Sequence, residues 1–168
     1  MDSVILVDEN DTEIGSMEKL EAHKQGLLHR AFSILLFNSK GELLIQQRSS
    51  EKYHSPNLWT NTCCSHPRPG ESVVDAAHRR LLEEMGIQTE LKLAFKFTYR
   101  VVMDNGLIEN EVDYVFTGSF DGNPELNIDE VSDYKYVSVD AIKSDIRING
   151  ENYTSWFKLL LSHFSKFE

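Results

Sequence analysis

The sequence has few of the features that mark a membrane, secreted or fibrous protein. Its longest unbroken apolar stretches are of the size of Ile34–Phe37, whereas a helix that crosses a bilayer needs about 20 such residues. The opening residues, Met1–Asp11, show no basic segment followed by an apolar one, so no secretory leader is legible. Four prolines and nine glycines in 168 residues are too sparse for a collagen-like or linker-dominated chain. Cysteine is almost missing: Cys63 and Cys64 are the only two, and they are adjacent. Neighbours in sequence do not readily reach disulfide geometry. A disulfide framework is therefore excluded, and a reducing, cytoplasmic setting is expected. Positive charge is also short. Lys and Arg number 17 against 27 Asp and Glu, a net of −10, which argues against nucleic acid and anionic membrane as partners.

The rest of the composition, 40% hydrophobic and 26% charged, is that of an ordinary folded chain. The acid is unevenly placed. Residues 1–103 carry 12 basic and 14 acidic side chains, whereas residues 104–151 carry 3 and 12. The first hundred residues are thus nearly balanced and can receive a small anion. No repeat or linker interrupts the sequence, so residues 1–168 are expected to form a single domain, and a monomer is favoured.

The hydrophobic pattern predicts a mixture of strands and helices. Met1–Val7 reads as a strand, followed by a turn at Glu9-Asn10-Asp11. Met17–Lys24 reads equally as helix or loop. Ala31–Phe37 and Leu43–Gln47 flank Asn38-Ser39-Lys40-Gly41 as a hairpin, and Leu58–Thr62 is a short strand. From Glu71 to Met85, Val73, Ala77, Leu81 and Met85 recur every four positions. That predicts an amphipathic helix stopped by Gly86. Leu91–Val102 and Glu111–Phe120 form a second hairpin around Asp104-Asn105-Gly106, and Tyr134–Val137 adds a strand. Ser138 is placed to cap a helix over Val139–Ile146, and Tyr153–Phe167 has helical spacing. The fold class is α+β.

The polar face of the 71–86 helix carries Glu71, Asp75, Arg79, Arg80, Glu83 and Glu84. Taken alone it is a solvated face with weak i,i+4 ion pairs. The spacing Ser65-x5-Glu71-x7-Arg79-Arg80-Leu81-x-Glu83-Glu84-x-Gly86-Ile87, however, resembles the Nudix box. That resemblance implies a mixed β-sheet sandwiched by helices and a site for a divalent cation and a diphosphate. Hard oxygen ligands with phosphate suit Mg²⁺. The box departs twice: Ser65 stands where Gly is usual, and Arg80 stands where a principal metal-binding Glu is expected. The second departure weakens hydrolysis and favours a guanidinium–phosphate contact.

Trp59-Thr60-Asn61-Thr62-Cys63-Cys64-Ser65-His66-Pro67 and Glu109-Asn110-Glu111-Val112 resemble the two motifs of type 1 isopentenyl-diphosphate Δ-isomerases. His23, the segment His29–Ser33 and the tract Leu36–Leu44 fit the same family in the same order. The resemblance implies isomerisation of isopentenyl diphosphate to dimethylallyl diphosphate by an allylic proton shift, a step in isoprenoid biosynthesis. It implies Cys64 and Glu111 as the proton-transfer groups, with Tyr99 beside the alkene and Trp156 facing the developing cation. It also implies a site of His23, His29, His66, Glu109 and Glu111 for one Mn²⁺ or Zn²⁺. Mg²⁺ would be held by Glu84 and the diphosphate, and Lys19, Arg48, Lys52 and Arg80 would contact that diphosphate.

Singly, these residues have duller readings. Glu109 and Glu111, two apart on a strand, share one face and would suit a solvated sheet edge. Trp156 would be core. His54, His78 and His163 are read as ordinary polar residues, and Cys63 as a packing residue. Two other functions compete with the isomerase. A Nudix diphosphohydrolase acting on nucleoside diphosphate derivatives is opposed by Arg80 and has no use for Cys64 with Glu111. An idle Nudix-like binding module has no use for the joint set.

Overall fold

The architecture follows from one strand that pairs along both of its edges. We describe residues 2–164 in a computed structural model. The chain runs β1 (Ser3–Val7), β2 (Glu13–Glu18), α1 (Lys19–Gln25), β3 (His29–Phe37), β4 (Leu43–Arg48), β5 (Trp59–Thr60), β6 (Cys63–Ser65), α2 (Val73–Met85), β7 (Lys92–Val102), β8 (Ile108–Ser119), β9 (Val131–Val137), α3 (Val139–Asn149) and α4 (Ser155–Phe164). A short 3₁₀ turn, Gly150–Asn152, joins the last two helices. β3 runs parallel to β8 over its whole length, from His29 opposite Glu111 to Phe37 opposite Ser119. It also meets β1 at His29, β6 at Phe32–Ile34 and β4 at Phe37. The turn at 38–41 forms as expected, but the two strands around it diverge after one pair and β4 turns to β5 and β9 instead.

Alternation along these strands feeds two cores on opposite faces. Phe32, Ile34, Leu36 and Leu44 pack with Ala76, Ala77, Leu81 and Met85 of α2. Leu35, Leu43, Ile45 and Val115 pack with Ile142 of α3 and with Trp156, Phe157 and Leu160 of α4. The sheet is thus covered by helices on both faces, the mixed α+β arrangement expected. Among the described residues no helix is long and apolar enough to cross a membrane.

α2 ends as its sequence requires. The Ser72 hydroxyl accepts the Asp75 N–H at 3.1 Å, and Gly86 takes φ +65. A Cβ there would lie 2.7 Å from Cβ of Glu125, so only glycine fits.

Other boundaries moved. The 17–24 segment divides into the end of β2 and α1, because the Glu18 carboxylate accepts the N–H groups of Leu20 and Glu21 and starts the helix there. The expected strand Leu58–Thr62 shortens to β5, and β6, beyond its end, was not expected. The C-terminal helix begins at Ser155, since Tyr153 is bridged to Trp59; Phe167 lies outside the described residues.

Candidate active site

Register alone brings the central residues together. β7 sets Tyr99 opposite Glu111 of β8, and β8 sets Glu111 beside His29 of β3. Tyr99, Glu111 and His29 therefore form a row across three strands. β6 sets Cys64 opposite Ser33 of β3, and His66 follows directly after β6. One cavity is lined by Cys64, His66, Tyr99, Glu109, Glu111 and Trp156, with Lys19, Arg48, Lys52, Arg80 and Glu84 around it. Every residue read as catalytic or substrate-binding lines this one cavity, as do four of the six expected metal ligands, His66, Glu84, Glu109 and Glu111. His23 and His29 are fully buried behind it, against Glu111.

Three imidazoles converge on one oxygen. The Nε2 atoms of His29 and His66 both lie 2.8 Å from Oε2 of Glu111, and that of His23 lies 3.6 Å away. Four donor atoms, one from each of His23, His29, His66 and Glu111, lie within 4.8 Å of one another. Nδ1 of His23 donates to the Lys19 carbonyl at 2.7 Å, and Nδ1 of His29 to the Leu27 carbonyl at 2.8 Å. A carbonyl only accepts, so the proton of each neutral ring is on Nδ1, and the Nε2 lone pairs face the carboxylate. Lone pairs aimed at an acceptor, with His23 Nε2 and Glu109 Oε1 buried and without a hydrogen-bond partner among the described residues, are an arrangement that a cation completes. The residues present fit a divalent transition metal.

Glu109 stands slightly apart, its Oε2 4.0 Å from Nε2 of His23. Glu84 is farther off. Its carboxylate accepts from the Cys63 thiol at 2.8 Å and pairs with Arg80 at 3.2 Å, so it faces the cationic side of the cavity instead of the histidine cluster.

The ionisation pattern separates donor from acceptor. Burial and the nearby Glu111 charge push Glu109 well above the usual carboxylate range. Burial also acts to raise Glu111, but with no cation bound the neighbouring imidazoles in their protonated form outweigh it and hold Glu111 well below that range. Tyr99 is raised by burial and by both glutamates; it remains a phenol and donates to Oε1 of Glu111 at 2.6 Å. Burial, partly offset by Arg48, pushes the Cys64 thiol up to about 12. Burial also takes His66 down to about 4.

The cations divide by role. Lys52 pairs with Glu130, and Arg80 with Glu83 at 2.6 Å and Glu130 at 3.5 Å. Burial lowers the Lys19 ammonium. Arg48 is turned inward: its guanidinium carbon lies 5.1 Å from the Trp156 ring, and it donates to the carbonyls of His54 and Ser55.

Comparison with known proteins fits this geometry. Residues 27–157 match the NUDIX domain family. The chain is 54% identical to an isopentenyl-diphosphate Delta-isomerase of Pectobacterium atrosepticum, over 93% of this chain and 87% of that one. It is 50% identical to isopentenyl-diphosphate Delta-isomerase 2 of Photorhabdus laumondii, over 98% and 94%. The chain belongs to the isopentenyl-diphosphate Delta-isomerase family.

Solved structures repeat the fold at lower identity. One from Deinococcus radiodurans superposes with a TM-score of 0.82 at 21% identity, covering 96% of this chain and 98% of that one. A MutT protein of Methanosarcina mazei gives 0.66 at 22%, covering 83% and 94%. At such identity these show the NUDIX fold alone.

Four residues in or around the isomerase-family cavity, of which only His54 lines it, were missed or misread in the sequence. Cys63 is not only a packing residue, since its thiol holds Glu84. Glu130 sits between Lys52 and Arg80, which gives one member of the acidic 104–151 segment a structural partner. Asp113 continues the 109–111 row, is 1% exposed and accepts from Ser33 Oγ at 2.7 Å. The period-two spacing of Glu109, Glu111 and Asp113 could have revealed it. His54 lines the cavity with its Nδ1 buried and without a hydrogen-bond partner among the described residues, and no sequence signal marked it.

Proposed function

We propose that this protein converts isopentenyl diphosphate to dimethylallyl diphosphate through a 1,3-allylic proton shift, acting as one domain over residues 1–168. The observation that carries the reading is that the Cys64 thiol, the Tyr99–Glu111 pair and Trp156 all line one cavity. The reaction adds a proton to the terminal CH₂ of the alkene, leaves a tertiary cationic centre at C3, and removes a proton from C2. The π electrons form the new C–H bond, and the C2–H electrons become the new double bond. Such a shift needs one proton donor and one acceptor with no water between them. Cys64 is a thiol and Glu111 a carboxylate hydrogen-bonded by a phenol, which supplies one of each.

The indole of Trp156 faces the same space. A desolvated cation–π contact can stabilise positive charge by about 2 kcal/mol. Lys19, Lys52 and Arg80 receive the diphosphate, and Arg48 holds the loop and the indole that border the alkene. His23, His29, His66 and Glu111, with Glu109 beside them, would hold one Mn²⁺ or Zn²⁺, and Glu84 with the diphosphate would hold Mg²⁺. Bound metal would supply positive charge that fixes and neutralises the buried carboxylates. The substrate is thus a small isoprenoid diphosphate, and the setting that suits the free cysteines is cytoplasmic.

The test is product analysis. Incubation with Mg²⁺ and isopentenyl diphosphate should give dimethylallyl diphosphate with the diphosphate intact by ³¹P NMR. Release of phosphate or nucleoside monophosphate from a nucleotide panel, with no isomerised product, would replace the reading with the hydrolase.

A further inference from the structure

His54, on the loop between β4 and β5, separates two cavities. On its inner side it lines the space shared with Cys64, Tyr99 and Trp156. On its outer side it borders a groove with Pro56, Leu58, Val102 and Met103. The ring is wedged nearly perpendicular to Tyr53, at 4.6 Å, and to Trp156, at 5.7 Å. Its buried Nδ1 has no hydrogen-bond partner among the described residues, so packing holds that side of the ring.

The backbone under the ring is fixed on both sides. Arg48 donates from Nε to the Ser55 carbonyl and from Nη2 to the His54 carbonyl, each at 3.2 Å. Asn105 Nδ2 donates to the Tyr53 carbonyl at 3.2 Å. Ser55 and Asn57 take φ of +50 and +65, values that residues with a Cβ hold only where their surroundings impose them. The wall is built by the fold.

The inner cavity also has a direction. Lys19, Lys52 and Arg80 are shared with a basic groove beside Arg68 and Arg79, whereas Tyr53 and His54 are shared with the outer groove. A diphosphate held by the cations therefore sends its hydrocarbon toward His54. Resting on the proposed function, we propose that His54 closes the hydrocarbon end of the site and restricts the enzyme to a branched five-carbon chain. Removing the imidazole would join the cavity to the outer groove, where Leu58, Val102 and Met103 offer apolar surface beside polar residues such as Asp104 and Glu151.

The experiment compares two substrates. One is isopentenyl diphosphate; the other carries ethyl in place of its methyl branch. The ratio of kcat/KM, six-carbon over five-carbon, is measured for the wild-type protein, His54→Ala and His54→Leu. Ki values for the two saturated diphosphates are measured alongside. One methylene in an apolar pocket changes selectivity by about 10–200-fold. His54→Ala should thus raise the ratio about tenfold or more, with the Ki ratio moving the same way. Leu, close to histidine in volume, should keep the wild-type ratio.

An unchanged ratio in His54→Ala overturns the proposal, as does a Leu variant that shifts as far as Ala. If His54→Ala turns over neither substrate, the Ki ratio decides by the same criterion. A wild-type protein inactive on isopentenyl diphosphate refutes the function itself, whereas an active one with a flat ratio refutes only the wall.

Discussion

Tyr99→Phe isolates one hydrogen bond in the site. The phenol donates to Oε1 of Glu111 at 2.6 Å, and the acceptor is an ionised carboxylate 3% exposed. A hydrogen bond to a charged group is worth about 1.5–3 kcal/mol, which as transition-state stabilisation corresponds to roughly 10–150-fold in rate. The rest of the side chain stays, because the ring stacks on Phe97 at 5.5 Å, and the phenol hydrogen-bonds Glu111, not a cation. The loss should therefore fall on kcat, with KM for isopentenyl diphosphate changed less than about threefold and the melting temperature within a few degrees. Steady-state kinetics and a thermal melt read all three. A variant with kcat within twofold of wild type, or one whose loss is all in KM, would refute the placement of Tyr99 beside the reacting carbons.

Other perturbations probe the frame and the metal cluster. Gly86→Ala puts a Cβ 2.7 Å from Cβ of Glu125 at φ +65; it should cost about 1–3 kcal/mol and several degrees of Tm, and an unchanged melt would contradict the cap. Dialysis against a chelator should lower both Tm and activity, with recovery on adding Mn²⁺ or Zn²⁺, because the Nε2 atoms then face Glu111 uncompensated; identical melts would contradict the cluster as a metal site. Burial, with help from the Arg48 charge, takes His54 from 6.5 down to about 3. The ring is then neutral in the fold and charged in the unfolded chain below pH 6.5, so the unfolded state binds more protons. Its contribution is complete above pH 6.5 and is lost toward pH 3 at about 1.4 kcal/mol per unit. Denaturant melts of His54→Leu should show a shallower acid slope than wild type; equal slopes would contradict a buried neutral ring.

Local pattern carried α2, α3, α4 and the motifs; α1 stayed ambiguous and long-range pairing did not show. α2 was legible because Val73, Ala77, Leu81 and Met85 repeat at helical spacing and Gly86 supplies the left-handed stop. Cys64, Glu111 and the histidines were legible only jointly, through two motifs in order. β6 has three residues, too few for a period, and exists because Cys63–Ser65 finds an open edge of β3. The divergence of β3 and β4 was equally hidden, since the edge of β3 that β4 leaves is taken by β6, a strand too short to read in the sequence. His54 reaches the cavity only because Arg48 holds its carbonyl, and Cys63 meets Glu84 only because α2 packs over β6.

The central claim is a proton exchange on the hydrocarbon of an intact diphosphate. It is tested most directly by ¹H and ²H NMR of isopentenyl diphosphate with the protein and Mg²⁺ in D₂O. Wild type should give dimethylallyl diphosphate with deuterium in the newly formed methyl group, and Cys64→Ala, folded by its melt, should give neither product nor exchange. Wild-type protein that leaves the alkene unlabelled, or Cys64→Ala that labels it at the wild-type rate, would contradict the account.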